Sequence, residues 1–224
     1  LIMTKPLLAI LLLLNLGLAS LHIATAHSSQ IAISSDGVDI HYEVHGEGEP
    51  TLVFIHGWSC DRSYWQAQVK YFAKQYQVIT IDLAGHGESG TNRSEWNLRD
   101  YGTDVVSVVN ALQPEKLVLV GHSLGGHVAL EAASLMQEKV LMVIGADSLH
   151  DLSATFSEEE MMALSQAMET DFRATAEDMV RSQMFLPEAD ISLIEAVASD
   201  VGSAPPAIAI DTLKGYDRWT KKER

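Results

Sequence analysis

Residues 117–126 read LVLVGHSLGG, an apolar run followed by a turn rich in glycine. The apolar run at 117–120 predicts a buried strand, and a G-x-S-x-G pattern at 121–125 follows it directly. The apolar residues that come next recur at helical spacing: Val128, Ala129, Leu130, Ala132, Ala133 and Leu135. A strand, a tight turn and a helix are the setting of a nucleophile elbow. The pattern makes Ser123 a candidate nucleophile; the alternative is a glycine-rich turn with an incidental serine.

Glycine is expected at both ends of the G-x-S-x-G pattern for a steric reason. An elbow forces its serine into a strained backbone conformation while strand and helix close tightly around it. Gly121 and Gly125 are expected to allow this approach because they carry no side chain. The Ser123 hydroxyl would then lie over the positive end of the helix that follows.

Composition excludes several classes of protein. The 224 residues are enough for one domain with a sizeable core, and 47% of them are hydrophobic, which is not a disordered composition. The formal net charge is −15 and no basic cluster precedes residues 221–224, so nucleic acid is not an expected partner. Cys60 is the single cysteine, which excludes an intramolecular disulfide; we interpret it as a small side chain in a loop. No cofactor and no metal ion are predicted.

Residues 1–26 have the layout of a secretory signal peptide. Lys5 gives a positive start, residues 7–18 form an apolar run, and Ala24-Thr25-Ala26 is an A-x-A cleavage site. The apolar run is short for a membrane span. We therefore predict a secreted or periplasmic protein that begins at His27 after cleavage and keeps no stable membrane span. An uncleaved N-terminal anchor is the alternative.

Strands alternate with helices along the chain as far as residue 151. Apolar runs predict strands at 30–34, 38–44, 51–55, 78–81, 117–120 and 140–144. We expect the strands at 51–55 and 140–144 to be buried. Asp36-Gly37 predicts a hairpin turn between the first two strands, and residues 98–112 predict a helix. This order predicts a mostly parallel sheet with helices on both faces, entered through an antiparallel hairpin.

Residues 152–224 are predicted to be a helical segment. Residues 157–160 (SEEE) fit a capping box, and the apolar residues that follow share one helical face: Met161, Leu164, Met168 and Phe172. Pro187 and Pro205-Pro206 are expected to separate this run from two further helices. Five of the eight methionines lie here: Met161, Met162, Met168, Met179 and Met184. They suit an adaptable apolar pocket, but ordinary helix packing accounts for them equally well.

Three motifs follow three of the predicted strands. His56-Gly57-Trp58 comes after the strand at 51–55, residues 82–89 (DLAGHGES) come after the next one, and the elbow follows. In order and spacing they resemble the α/β-hydrolase superfamily, in particular its esterase- and lipase-like branch with a serine nucleophile. The resemblance implies an α/β-hydrolase core at 27–151 and a helical cap after the sixth strand at 152–224.

The same resemblance implies roles at the site. Ser123 would attack an ester-like carbonyl, and the backbone N–H groups of Trp58 and Leu124 would hold the oxyanion that forms. Gly57 would let its loop approach the elbow closely. Adjacent residues in an elbow point in different directions, so His122 is not assigned as the base.

The remaining polar residues of the motifs are expected to be structural. His56 would shape the loop after its strand, and Asp82 and His86 would hold the neighbouring loop. We assign none of these three a catalytic role.

The triad of this family continues after the serine with an acid and then a histidine. Asp147 follows the sixth strand and is a candidate acid, because some members place the acid there. His150 lies on the wrong loop for the base, and no histidine follows it. No apolar strand with a following acid comes after Trp219. We therefore expect the family's seventh and eighth strands and the triad histidine to lie beyond Arg224.

These features predict a serine hydrolase that cleaves an ester or related acyl bond of a small molecule through an acyl-enzyme on Ser123. Lactonase, carbon–carbon hydrolase and perhydrolase chemistry stay open, because such enzymes share these motifs. Haloalkane dehalogenases and epoxide hydrolases are disfavoured, since they carry aspartate at the elbow. The alternative is a non-catalytic small-molecule-binding homologue, or an inactive fragment, without the triad acid and histidine.

Overall fold

The structure, a computed structural model, describes residues 29–150 and 156–222. The predicted signal peptide at 1–26 and the predicted boundary between core and cap at 151–152 lie outside the described residues. The same holds for the chain end at 223–224.

Within the described residues, six strands form one mixed sheet. They are β1 (Gln30–Ile33), β2 (Asp39–His45), β3 (Thr51–Ile55), β4 (Val78–Ile81), β5 (Leu117–His122) and β6 (Val140–Ala146). Their spatial order is β1-β2-β4-β3-β5-β6. β2 pairs antiparallel with β1 and β4, and the other pairs are parallel. The predicted hairpin and mostly parallel sheet are confirmed, although β5 and β6 run further than predicted, to His122 and Ala146.

Burial differs between the centre of the sheet and its β6 edge. β3 and β4 are buried along their whole length, as strands covered on both faces are. The expectation of a buried strand at 140–144 is wrong, because Leu141, Met142 and Ile144 are 58%, 57% and 42% exposed. Among the described strands β6 pairs with β5 alone, so its other side has no neighbouring strand.

Helices cover both faces of the sheet. On one face a 3-10 helix (Arg62–Trp65) and α1 (Gln66–Phe72) pack against Phe54 of β3. On the other face α2 (Leu98–Leu112) and α3 (Leu124–Leu135) pack together over the main core. The bounds of α2 are those predicted. Asn97 caps α2 by accepting a hydrogen bond from the Asp100 N–H.

Four further helices follow β6, and we call them the cap. They are α4 (Glu158–Thr170), α5 (Phe172–Gln183), α6 (Ile191–Val201) and α7 (Pro206–Lys222). The predicted capping box at Ser157 is present. The run expected to continue to Pro187 is instead broken at Asp171, which ends α4 and caps α5 by accepting from the Ala174 N–H.

The cap methionines divide into two groups. Met161 and Met168 are buried and Met179 packs against the core, whereas Met162 and Met184 are exposed. Ordinary helix packing therefore accounts for the inner three. No single described helix is long and apolar enough to span a membrane; α6 and α7 reach that length only as a pair bent by 95°.

Candidate functional site

Ser123 has the strained conformation expected at the elbow. Its backbone has φ 50° and ψ −120°, which a non-glycine residue seldom adopts, and Ser123 is exposed between β5 and α3. A Cβ at Gly121 would come within 2.2 Å of the Gly125 carbonyl oxygen. One at Gly125 would come within 2.4 Å of the carbonyl oxygens of Ile55 and His56. Backbone packing therefore requires both glycines, as the sequence predicted.

The loop after β3 lies against the elbow. A β-turn at residues 57–60 is closed by a hydrogen bond from the Cys60 N–H to the Gly57 carbonyl at 3.3 Å. Such a turn leaves the N–H of its second residue, Trp58, outside its own hydrogen bond, and no described backbone oxygen accepts from it. A Cβ at Gly57 would lie 3.3 Å from the Ser123 Cβ, so the expected close approach is present.

The first N–H groups of α3 complete this geometry. Leu124 is the first residue of α3, and the N–H of a first helical residue has no partner inside the helix. The positive end of the helix dipole lies at the same place. The edge of the sheet that carries Ser123 therefore also carries two N–H donors, those of Leu124 and Trp58.

The loop after β6 is joined to the elbow through Ser148. Its Oγ donates to the Ser123 carbonyl oxygen at 2.7 Å. Asp147, the candidate acid, is exposed and has a positive φ of 46°. Burial lowers the pKa of His122 below its ordinary value, and the charge of Asp147 offsets part of that shift. The structure thus brings Asp147 to the same edge of the sheet as Ser123.

His56 and His86 are buried and hold loops. His56 Nδ1 donates to the Gly57 carbonyl at 2.8 Å, because its Nε2 accepts from the Leu83 N–H at 3.0 Å and this fixes the tautomer. His86 Nδ1 contacts the Ala84 carbonyl at 3.0 Å. Burial lowers the pKa of His56 to about 4 and that of His86 to about 3. These contacts agree with the structural roles predicted for both residues.

Asp82 connects two of the loops at this edge. Its buried carboxylate accepts from the backbone N–H groups of Arg62 at 2.8 Å and Glu88 at 2.9 Å, and it pairs with the Arg62 guanidinium. The loop after β4 is thereby fixed to the 3-10 helix that follows β3. Asp82 thus has the structural role that the sequence predicted.

The other histidines near the elbow contact different partners. His122 lines a cavity of about 270 Å³ on the α1 face, together with His56, Tyr64, Trp65, Gln68 and Ala146. The His127 ring packs edge-on against Tyr216 and Trp219 of α7, and its Nδ1 is 3.4 Å from the Ser123 carbonyl oxygen. Within residues 29–150 and 156–222, no histidine nitrogen hydrogen-bonds the Ser123 hydroxyl.

Residues 50–186 match the family model described as alpha/beta hydrolase fold, and this match covers more than half of the chain. The chain belongs to the α/β-hydrolase fold family. The structure agrees with this assignment in its strand order and in the strained conformation of Ser123.

Two relatives show what kinds of α/β-hydrolase resemble this chain. An (E)-2-((N-methylformamido)methylene)succinate hydrolase of Acinetobacter baylyi is 39% identical over 85 residues, which are 38% of this chain and 32% of that protein. A pimeloyl-[acyl-carrier protein] methyl ester esterase of Aliivibrio fischeri is 33% identical over 168 residues, 70% of this chain and 62% of that protein. The chain therefore spans less than two thirds of the length of either relative.

A solved structure agrees on the fold. An esterase from Exiguobacterium antarcticum superposes with a TM-score of 0.76 over 85% of this chain and 74% of that one. The two sequences are 20% identical, so this likeness concerns the α/β-hydrolase fold and not the activity.

Two contacts of this α/β-hydrolase site were not predicted from the sequence. Ser148 supports the elbow from the loop after β6, and the Trp58 indole reaches the Ala209 carbonyl in α7 at 2.8 Å. Neither residue lies in a sequence pattern that specifies its partner. The two contacts join positions that are 25 and 151 residues apart in the chain. In the described part of the chain, no group of three or more His, Cys, Asp or Glu residues could hold a metal ion.

Proposed function

We propose that the whole protein is a serine hydrolase that cleaves an ester or related acyl bond of a small molecule, with Ser123 as its nucleophile. The observation that carries the proposal is the conformation of Ser123, which has φ 50° between a strand and a helix. Backbone strain of this kind persists only where the surrounding structure imposes it, and it is concentrated at functional sites. Relatives named as a hydrolase and an esterase support the same class of reaction.

The chemistry follows from the placement of these groups. Ser123 Oγ attacks the carbonyl carbon of the substrate and passes its proton to a general base. The N–H groups of Trp58 and Leu124 donate to the oxyanion of the tetrahedral intermediate. When the intermediate collapses, the leaving alcohol takes the proton from the base, and the acyl group stays on Ser123 until water hydrolyses it.

The proposal places the general base outside the described residues. A serine hydroxyl is a weak nucleophile without an adjacent base, and the described histidines near the elbow contact other groups. Asp147 is the proposed acid, because its loop already contacts the elbow through Ser148. In the family triad the acid orients the histidine and not the serine, so no contact between Asp147 and Ser123 is required.

The experiment measures hydrolysis of p-nitrophenyl acetate by the complete gene product. Wild type is compared with Ser123→Ala and with the control Ser134→Ala, which removes an exposed hydroxyl at the other end of α3. We expect Ser123→Ala to lower kcat by at least about 10³-fold, because the nucleophile is lost, and Ser134→Ala to match wild type.

Two outcomes would contradict the proposal. Turnover by Ser123→Ala at the wild-type rate would assign the activity to another residue. Saturable binding of an ester without any turnover by the wild-type protein would favour the non-catalytic binding function.

A further inference from the structure

The Trp58 side chain is attached to the cap. Its Nε1–H donates to the Ala209 carbonyl oxygen of α7 at 2.8 Å, and Trp58 is 8% exposed. Its ring meets the Phe172 ring of α5 edge-on, with 6.1 Å between the ring centroids. One residue therefore presents its backbone N–H beside the elbow while its side chain is held by two cap helices.

Neighbouring contacts hold the same segment against the cap. The Tyr64 hydroxyl, in the 3-10 helix, donates to the Asp200 carboxylate of α6 at 2.6 Å. In the loop after β4, a Cβ at Gly85 would come within 2.7 Å of the Ile208 side chain, so α7 packs directly on that loop. The cap thus contacts the loops after β3 and β4 at several points.

The turn that carries Trp58 is itself strained. Ser59, the next residue, has a φ of 56° and is buried. A non-glycine residue keeps such a conformation only when its surroundings hold it there. Because this conformation costs free energy, the contacts of the Trp58 ring are suited to hold the turn in place.

We propose that Trp58 is a positioning residue whose indole, held by the cap, fixes its own backbone N–H beside Ser123. This inference rests on the proposed function, since it takes that N–H to be an oxyanion donor. An oxyanion donor is effective only within a narrow range of distances from the developing charge. Only two side-chain torsions join the indole to the backbone. The hydrogen bond to Ala209 and the contact with the Phe172 ring therefore restrict the Trp58 backbone as well. A shift of the cap helices that hold the indole would therefore move the Trp58 N–H and change kcat.

Trp65 provides a matched control. It is also buried, at 7% exposed, and packs against Phe54. Its Nε1 has no hydrogen-bond partner among the described residues. The change Trp65→Phe therefore removes the same atoms as Trp58→Phe without breaking a hydrogen bond to the cap.

The experiment measures kcat and KM for p-nitrophenyl acetate in the complete gene product. Wild type is compared with Trp58→Phe, Trp65→Phe and Ser123→Ala. A further form carries β-(3-benzothienyl)alanine in place of Trp58, which keeps the shape of the indole and removes the N–H. We expect both changes at Trp58 to lower kcat about tenfold with KM within about twofold of wild type, less than the loss of an entire oxyanion donor. Trp65→Phe should keep the wild-type kcat.

Each other outcome has a defined meaning. Wild-type kcat with the benzothienyl form overturns the inference even if Trp58→Phe fails to fold. A raised KM at unchanged kcat also overturns it, because that result marks a contact with substrate in the ground state. Wild-type turnover by Ser123→Ala shows instead that the proposed function is wrong, and the role of Trp58 falls with it.

Discussion

Replacing Gly125 by alanine tests the packing of the elbow. A Cβ at this position would lie 2.4 Å from the carbonyl oxygens of Ile55 and His56 and 2.9 Å from the Ile55 carbonyl carbon. Ile55 ends β3, which is buried along its whole length. Backbone atoms of a central strand cannot rotate away as a side chain can, so either β3 or α3 has to shift.

Two effects of opposite sign set the size of the change. At a helical position, alanine is more favourable than glycine by about 1 kcal/mol. Inserting a methyl group into a well-packed region costs about 1–3 kcal/mol, and contact with backbone places this case near the top of that range. The clash therefore outweighs the helix propensity, and we expect Gly125→Ala to lower the free energy of unfolding by about 2 kcal/mol.

The assay is urea unfolding followed by far-UV circular dichroism. Gly202→Ala, at the end of α6, is the comparison, because the nearest atom to its Cβ is Glu177 Cγ at 2.8 Å, on a side chain, and the nearest backbone atom is the Ala198 carbonyl oxygen at 3.1 Å. We expect Gly202→Ala to lower the free energy of unfolding less than Gly125→Ala does, because its backbone contact is longer, 3.1 Å against 2.4 Å. Gly125→Ala with wild-type or higher stability would refute the argument that backbone contact requires glycine here.

Three further predictions concern charge, pH and processing. Arg93→Ala should cost about 3–5 kcal/mol in urea unfolding, because it leaves the fully buried Asp104 carboxylate without its charged partner. Arg181→Ala removes two ion pairs at the surface, with Glu177 and Glu195, and should cost much less. Equal effects of the two changes would contradict this. Burial keeps the pKa of His86 at about 3 in the fold, so the unfolded chain takes up more protons and stability should fall as pH drops from about 6.5 towards 4. In His86→Gln the slope of the free energy of unfolding against pH should be smaller by up to about 1.4 kcal/mol per pH unit. An unchanged slope would contradict the prediction that the His86 ring is neutral in the fold. We also propose that the protein is secreted or periplasmic, so the intact mass of the exported form should correspond to a chain beginning at His27; a mass that retains residues 7–18 would indicate an anchor.

Local patterns predicted the elements whose signals lie within a few residues. The helix at 98–112 and the strand at 51–55 were both predicted from their own stretches of sequence, the strand from a continuous apolar run, and the structure has α2 and β3 at those bounds. The elbow was predictable for the same reason, since the two glycines and Ser123 lie within five consecutive residues.

Features that depend on distant neighbours were not predictable in this way. An apolar run at 140–144 indicates a strand but not the exposure of its side chains, which depends on what packs beside it. The break at Asp171 has no proline or glycine to mark it, because an aspartate cap can begin a new helix directly after another. The contact of Trp58 with Ala209 depends on how the cap folds back over the loops.

The most direct test of the proposed nucleophile is to find which serine reacts with a phosphorus electrophile. The complete gene product is treated with a fluorophosphonate, which reacts with activated serines, and the modified peptide is mapped by mass spectrometry. We expect one phosphonyl adduct, on Ser123, that is absent from Ser123→Ala and unchanged in Ser134→Ala. If the protein hydrolyses p-nitrophenyl acetate but its adduct lies on another residue, Ser123 is not the nucleophile.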